Sequence, residues 1–264
     1  MADIRLEQGL VERGIPLGVP ELPEVFFEAV RRSFHLDGGG RMLALWCGAG
    51  AFLSLAENFE SVLIVDPEPG RLAESVHEAE KLNVENAIFL EGEREVLHPR
   101  MGRFRLVIVQ DCFLRKARKR SLSFLAKMTE PEGGVVIANV HRCGSLTKWQ
   151  KAALEVLRGR FGGRLHEGGL TSSATWDGQS LPFRNTEIYR HRWTQKRTVG
   201  QAVTDILSAW CPFFRKRAAL EEMLRAALWK AEPSGVLEER LRLTAVFAWI
   251  GKPPSASFCS AGGC

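Results

Sequence analysis

The sequence predicts an α/β fold: a Rossmann-like, doubly wound, mostly parallel sheet of seven strands with helices on its faces. Three observations predict it. From residue 41 to about 160, short apolar runs alternate with helix-patterned segments, the pattern of strands joined by crossover helices. The first apolar run ends in a turn bearing Gly48 and Gly50. The second ends in Asp66, about 20 residues on, where nucleotide-binding sheets place an acid for ribose hydroxyls.

Composition bounds the class. The chain has 264 residues, 45% hydrophobic and 25% charged, with a formal charge of +5. That suits one large domain, or a domain with an added lid. The charge excess permits an anionic partner without demanding one. No apolar run reaches the roughly 18 residues of a membrane span. The start, Met1-Ala2-Asp3-Ile4-Arg5, has no secretory pattern. Four of the six cysteines are scattered through apolar segments, as free core cysteines are. A cytoplasmic, reduced protein is the expectation.

The elements follow in order. Residues 1–40 form a lead-in, with Leu22, Phe26, Phe27, Val30 and Phe34 at helical spacing before Gly38-Gly39-Gly40. Arg41 to Trp46 is the first strand, Ala51 to Phe59 a helix, and Ser61 to Val65 the second strand. Pro67 to Leu82 is rich in helix formers. Ala87 to Leu90 and Phe104 to Val109 are the third and fourth strands. Leu114 to Met128 is a basic amphipathic helix, and Val135 to Ala138 the fifth strand after Gly133-Gly134. Leu146 to Arg158 is again helical. Past about residue 161 the rhythm changes. Gly162 to Asn185 is polar and glycine-rich, a long loop. Thr186 to Thr194 reads as a strand, Val199 to Trp210 and Arg217 to Lys230 as helices, and Arg242 to Ile250 as the last strand. The expected regions are a lead-in at 1–40, a nucleotide-binding core at 41–160, a lid or acceptor region with closing strands at 161–252, and a disordered tail at 253–264.

The turn carries the chemistry. In Trp46-Cys47-Gly48-Ala49-Gly50 the glycines let backbone approach a ligand. The helix after the turn would present free N–H groups to it. Asp66-Pro67 closes the second strand.

These residues resemble the class I S-adenosylmethionine (SAM) dependent methyltransferases, of the type 11-like kind. The resemblance covers roughly residues 20–140 and, more loosely, 186–250. That family reads Asp-x-Gly-Cys-Gly-Thr-Gly at the first strand. Here Cys47-Gly48-Ala49-Gly50 keeps the second half, while Ala44 replaces the acid and Trp46 the first glycine. The resemblance implies SAM as cofactor, with Asp66 on the ribose and Glu93, of Gly92-Glu93, near the adenine amino group. It implies a C-terminal antiparallel strand and a helical lid. Departures recur: Arg105 stands where the fourth strand usually has Asp, and Leu114-Arg115 where the nearest subgroup has His-Trp. Trp46 has two readings. The indole packs beside the methionine part of the cofactor, or it partly fills the pocket of a chain that no longer binds SAM.

Other candidates lie at strand ends, where ligands sit in parallel sheets. Gln110, Asp111 and Cys112 follow the fourth strand; Asn139 and His141 follow the fifth. His141 is the candidate general base; its other reading is a strand-end residue bonded to backbone. Asp111 is a second candidate base, or a helix cap. Tyr189, His191 and Trp193 alternate on one strand face, as packing or as lining of an acceptor pocket. Arg115 opens the basic run to Arg120, a solvated helix face or a dock for phosphate, an anionic acceptor or nucleic acid. Cys259 and Cys264 are too few for a closed zinc site. The leading expectation is methyl transfer from SAM to a small-molecule acceptor, for which the basic run allows an anionic character. The alternatives are a methyltransferase-like binding or scaffold subunit without methyl transfer, and a nucleic-acid methyltransferase.

Overall fold

A computed structural model gives the structure. It describes residues 20–47, 50–92, 96–110, 118–161, 183, 185–210 and 217–251. Strands β1 (Arg41–Leu45), β2 (Ser61–Asp66), β3 (Ala87–Glu91), β4 (Phe104–Gln110), β5 (Thr129–Arg142), β6 (Asn185–Thr198) and β7 (Val236–Trp249) form one sheet. Its order is β3-β2-β1-β4-β5-β7-β6. The first five strands pair in parallel. On β6 and β7, rising numbers meet falling ones: Asn185 bonds Gly251, Lys196 pairs with Glu238, and Val199 bonds Gly235. These two strands are therefore antiparallel. The helices are α1 (Glu24–Ser33), α2 (Pro69–Lys81), α3 (Arg118–Met128), α4 (Lys148–Phe161), α5 (Val199–Trp210) and α6 (Arg217–Ala231).

The chain divides into two compact units. The first comprises Leu22–Asn139, Asp177–His191 and Leu243–Cys264; the second comprises Met1–Glu21, Val140–Trp176 and Arg192–Arg242.

In the first unit, β1, β2 and β4 are buried almost throughout, as central strands covered on both faces must be. Their near-continuous apolar runs are the cause. Helix α1 starts with Glu24 and ends with Arg31 and Arg32, charges that suit the helix dipole at both ends. Its Phe26 and Phe27 rings meet Phe52 at 6.3 and 6.1 Å. Gly133 and Gly134 sit inside β5 rather than in a turn before it. A Cβ on Gly133 would stand 2.6 Å from the Arg105 carbonyl oxygen, and one on Gly134 2.0 Å from the Phe34 ring. Only glycine lets β5 extend back to Thr129 past these groups.

The helix expected over Ala51 to Phe59 is instead a short 3-10 helix, Leu53–Asn58. Its carbonyls are taken from outside. Arg31 donates to Ser54 O, Asn86 to both Ala56 O and Phe59 O, and the Gly38 N–H to Asn58 O. Carbonyls so occupied compete with i→i+4 bonding, and the segment stays tight and short.

Arg105 has a structural role. Its guanidinium donates to the Asp37 carboxylate, to His35 O at 2.6 Å and to Gly39 O at 3.3 Å. It thereby ties down the turn that feeds β1. The hydrogen bond from Arg105 holds the Asp37 carboxyl below its ordinary value.

In the second unit, α4, α5 and α6 share a core that includes Trp149, Leu157, Ile206, Leu220, Leu224 and Leu228. The Trp149 indole N–H donates to Glu238 O at 2.9 Å, which satisfies its one polar atom. Strands β6 and β7 are longer here than their apolar cores suggest, because charged residues extend them in pairs. Glu239, 1% exposed, accepts from Arg142 Nε at 2.7 Å and from Arg197 Nη2 at 2.9 Å. Arg197 also pairs with Asp205. Two cations and two carboxylates thus balance in a site that would not hold any one of them alone.

Candidate functional site

The first unit brings the ends of β1, β2 and β4 together. Parallel pairing aligns Leu45 with Val65 and with Val109. The residues just beyond, Trp46, Asp66 and Gln110, are therefore neighbours at one rim of the sheet, the carboxyl ends where such sheets bind ligands.

Asp66 is the most constrained of them. It is 3% exposed. Its Oδ1 accepts three bonds: from the Glu68 N–H at 2.9 Å, from Arg71 Nε at 3.1 Å and from Arg71 Nη2 at 2.9 Å. Arg71 is steadied in turn by Glu68, 3.3 Å away. Among the described residues no donor reaches Oδ2, so one carboxylate oxygen is pinned and the other is left as an acceptor. Pro67 follows in the bend toward α2. The Gly92 N–H donates to Asp66 O at 3.1 Å, which joins the ends of β2 and β3.

The turn after β1 is held from three sides. Trp46 has φ +53°, the left-handed region that glycine enters freely and other residues at a cost. Its N–H donates to Val65 O at 3.0 Å. Cys47 is buried, with Sγ 3.2 Å from Leu45 O and 3.5 Å from Ile108 O. Gln110 Nε2 donates to Cys47 O at 3.2 Å. Gly50 has φ +66°, and a Cβ there would lie 2.8 Å from Leu53 Cδ1 and 2.9 Å from Glu78 Cβ. Its N–H donates to Ser75 Oγ at 3.0 Å. With only a short 3-10 helix after it, the turn does not lead into the helix N-terminus that the sequence suggests.

The other candidates are placed as follows. Tyr189 stacks on Phe247 at 5.8 Å and on His191 at 6.4 Å, with Phe26 5.5 Å away. These four rings all belong to the first unit. Burial raises the Tyr189 phenol above its ordinary value, and the Glu28 carboxylate adds to it. His141 is half-buried on β5 and Trp193 half-buried on β6, both within the second unit. Gly48, Ala49, Glu93, Asp111, Cys112, Arg115, Cys259 and Cys264 lie outside the described residues, as does the predicted loop to 182. Sequence reasoning missed Arg71 and Ser75. Both stand on α2, Arg71 five residues past the acid, and helical position alone does not mark which side chain turns back to a strand end.

No family model matches the chain, and no curated protein matches its sequence. Solved structures do resemble its fold. The YcgJ protein of Bacillus subtilis is 12% identical, covering 86% of this chain and 99% of its own, with a TM-score of 0.50. A putative type II methyltransferase from Anaeromyxobacter dehalogenans is 18% identical over 88% and 97%, with a TM-score of 0.48. A SAM-dependent methyltransferase from Thiobacillus denitrificans, in complex with S-adenosylhomocysteine, is 14% identical over 90% and 96%, with a TM-score of 0.46.

The likeness is one of fold: a Rossmann-like, mostly parallel sheet of seven strands.

A nucleoside ligand at such a rim sets one requirement. A ribose hydroxyl needs a buried, oriented carboxylate oxygen, and Asp66 Oδ2 supplies one. Gln110 and Ser75 keep the turn in shape. Trp46 carries a side chain at φ +53°, where glycine is the favoured residue. Among the described residues, no helix is long and apolar enough to cross a membrane.

Proposed function

We propose that the protein binds SAM at the carboxyl ends of β1, β2 and β4 and transfers its methyl group to a small-molecule acceptor. The observation that carries this reading is Asp66: a carboxylate 3% exposed, with one oxygen pinned by Arg71 and the other open. Buried acids are costly unless they are paired or used, and this one is paired on one side only. When bound, SAM would supply a sulfonium methyl for in-line displacement. Asp66 would hold the ribose, and Glu93 would stand near the adenine. Trp46, Cys47, Gly48, Ala49 and Gly50 would border the methionine part, with Pro67 and Gln110 shaping the rim.

Positioning supplies most of the rate in such a transfer, and a base is needed only if the acceptor atom carries a proton. His141 and Asp111 are the proposed bases. Arg115, Tyr189, His191 and Trp193 are the proposed acceptor contacts. Each is tested by its own alanine variant once an acceptor is in hand.

The test of the cofactor reading is calorimetric titration with S-adenosylhomocysteine. Binding in the range of about 1–100 μM is expected, weakened at least tenfold in Asp66→Ala. No heat and no thermal shift at millimolar ligand would overturn it. A second reading, a binding or scaffold protein of the same fold without methyl transfer, is favoured by Trp46 and Ala44. It gains if S-adenosylhomocysteine fails to bind the wild type and also fails to bind Trp46→Gly.

A further inference from the structure

The second unit carries a groove on strands β6 and β7 and the end of β5. Its volume is about 560 Å³, and Arg142, Cys143, Arg192, Trp193, Arg240 and Arg242 are among its lining residues. Four of those six are arginines. Arg142 is neutralised by Glu239. Among the described residues, Arg192, Arg240 and Arg242 form no ion pair.

Their arrangement makes this costly. Lys196 and Glu238 face each other across the antiparallel pair at 3.1 Å. Arg192 on β6 and Arg240 and Arg242 on β7 line the same groove further along the two strands. Like charges brought together on neighbouring strands destabilise a sheet. A second observation is independent of charge counting. Arg242 Nε is buried and has no hydrogen-bond partner among the described residues. An orphaned guanidinium N–H normally finds an acceptor. The crowded cations are relieved by an anion in the groove.

We propose that this groove binds a small phosphate-bearing molecule, with Arg192, Arg240 and Arg242 as its ligands. Guanidinium forks match phosphate oxygens in pairs, and the lining uses arginine rather than lysine. The groove's volume favours a small ligand over a polymer, and on one side its row of cations is closed by the neutral Lys196–Glu238 pair. The volume lies within the range of small-molecule sites.

The test uses the full chain and inorganic pyrophosphate as probe. Pyrophosphate is expected to raise Tm above sodium chloride at matched ionic strength. It is also expected to slow alkylation of Cys143, half-buried in the groove, read by mass spectrometry of its peptide. Arg192→Gln and Arg242→Gln are each expected to weaken binding about tenfold or more. Without ligand, each should be at least as heat-stable as the wild type, because the crowding of charge is relieved. A merely structural role for these arginines would lower Tm instead. No shift beyond chloride, no protection of Cys143, or full affinity in both variants would overturn the proposal. So would binding of a twenty-nucleotide oligothymidylate that needs the same arginines while pyrophosphate fails to bind.

Discussion

Arg71 grips a single oxygen of Asp66 with two nitrogens, Nε at 3.1 Å and Nη2 at 2.9 Å. The carboxylate is thereby turned so that Oδ2 alone is left to accept. The arginine acts on the site through Asp66 and is a positioning residue.

Arg71→Ala therefore leaves a buried carboxylate with one backbone donor and no cation. Arg71 is one-third exposed, so the loss is discounted for solvent screening to about 1–2 kcal/mol. Urea unfolding should show it. Affinity for S-adenosylhomocysteine should fall about three- to tenfold as Asp66 loses its fixed orientation. Arg71→Lys restores the charge but not the two-nitrogen grip, and should recover stability more than affinity.

Trp46 invites a paired comparison. Its φ of +53° costs glycine nothing and other residues about 1 kcal/mol. Trp46→Gly and Trp46→Ala lose the same indole, but only glycine escapes the backbone cost. Trp46→Gly should be more stable than Trp46→Ala by about 1 kcal/mol. It should also bind S-adenosylhomocysteine more tightly than the wild type. Equal stability of the two variants would contradict the left-handed turn.

Gly50→Ala should damage both stability and binding. The added methyl meets Leu53 and Glu78 below 3 Å, at a φ of +66°. Conformation and overpacking together should cost about 2–4 kcal/mol, read as a lowered midpoint in denaturant.

The pH profile isolates Asp205. Burial raises its carboxyl above the ordinary 3.8, against the lowering effect of Arg197. The folded state then holds the proton more firmly than the unfolded chain. The contribution of this group to stability is greatest below 3.8 and is lost as pH rises through the raised value. Tm measured against pH for the wild type and Asp205→Asn should differ by a component of this sign, confined to that acidic window. A difference that grows as pH falls, with the wild type the less stable, would refute it.

Much of the fold was legible in the sequence because its causes are local. The runs Arg41–Leu45, Ser61–Asp66 and Phe104–Gln110 are apolar at every central position, and only a strand covered on both faces needs that. The long reach of β5, β6 and β7 was hidden, since it depends on two glycines passing Phe34 and Arg105 and on Arg197 meeting Glu239 across strands. The segment Leu53–Asn58 misled for a related reason. Its residues favour a helix, but Arg31 and Asn86, distant in sequence, take its carbonyls. At the site, Asp66 and Gly50 were readable from spacing. Arg71 and Ser75 were not, because nothing on a helix announces which side chain will reach back over a strand end. Arg105, conspicuous as a departure from a family pattern, proved to be the clasp of the turn before β1.

Strand β6 stands last in the sheet order, with 14 residues and, among the described residues, no strand on its outer side. A backbone edge of that length is a template on which a foreign strand can grow. Arg190, Arg192 and Lys196 are exposed along it, and a second copy of the chain approaching that edge would meet its own cations. The same side chains thus act as gatekeepers against aggregation, and replacing them with apolar residues should bring insolubility well before it brings unfolding.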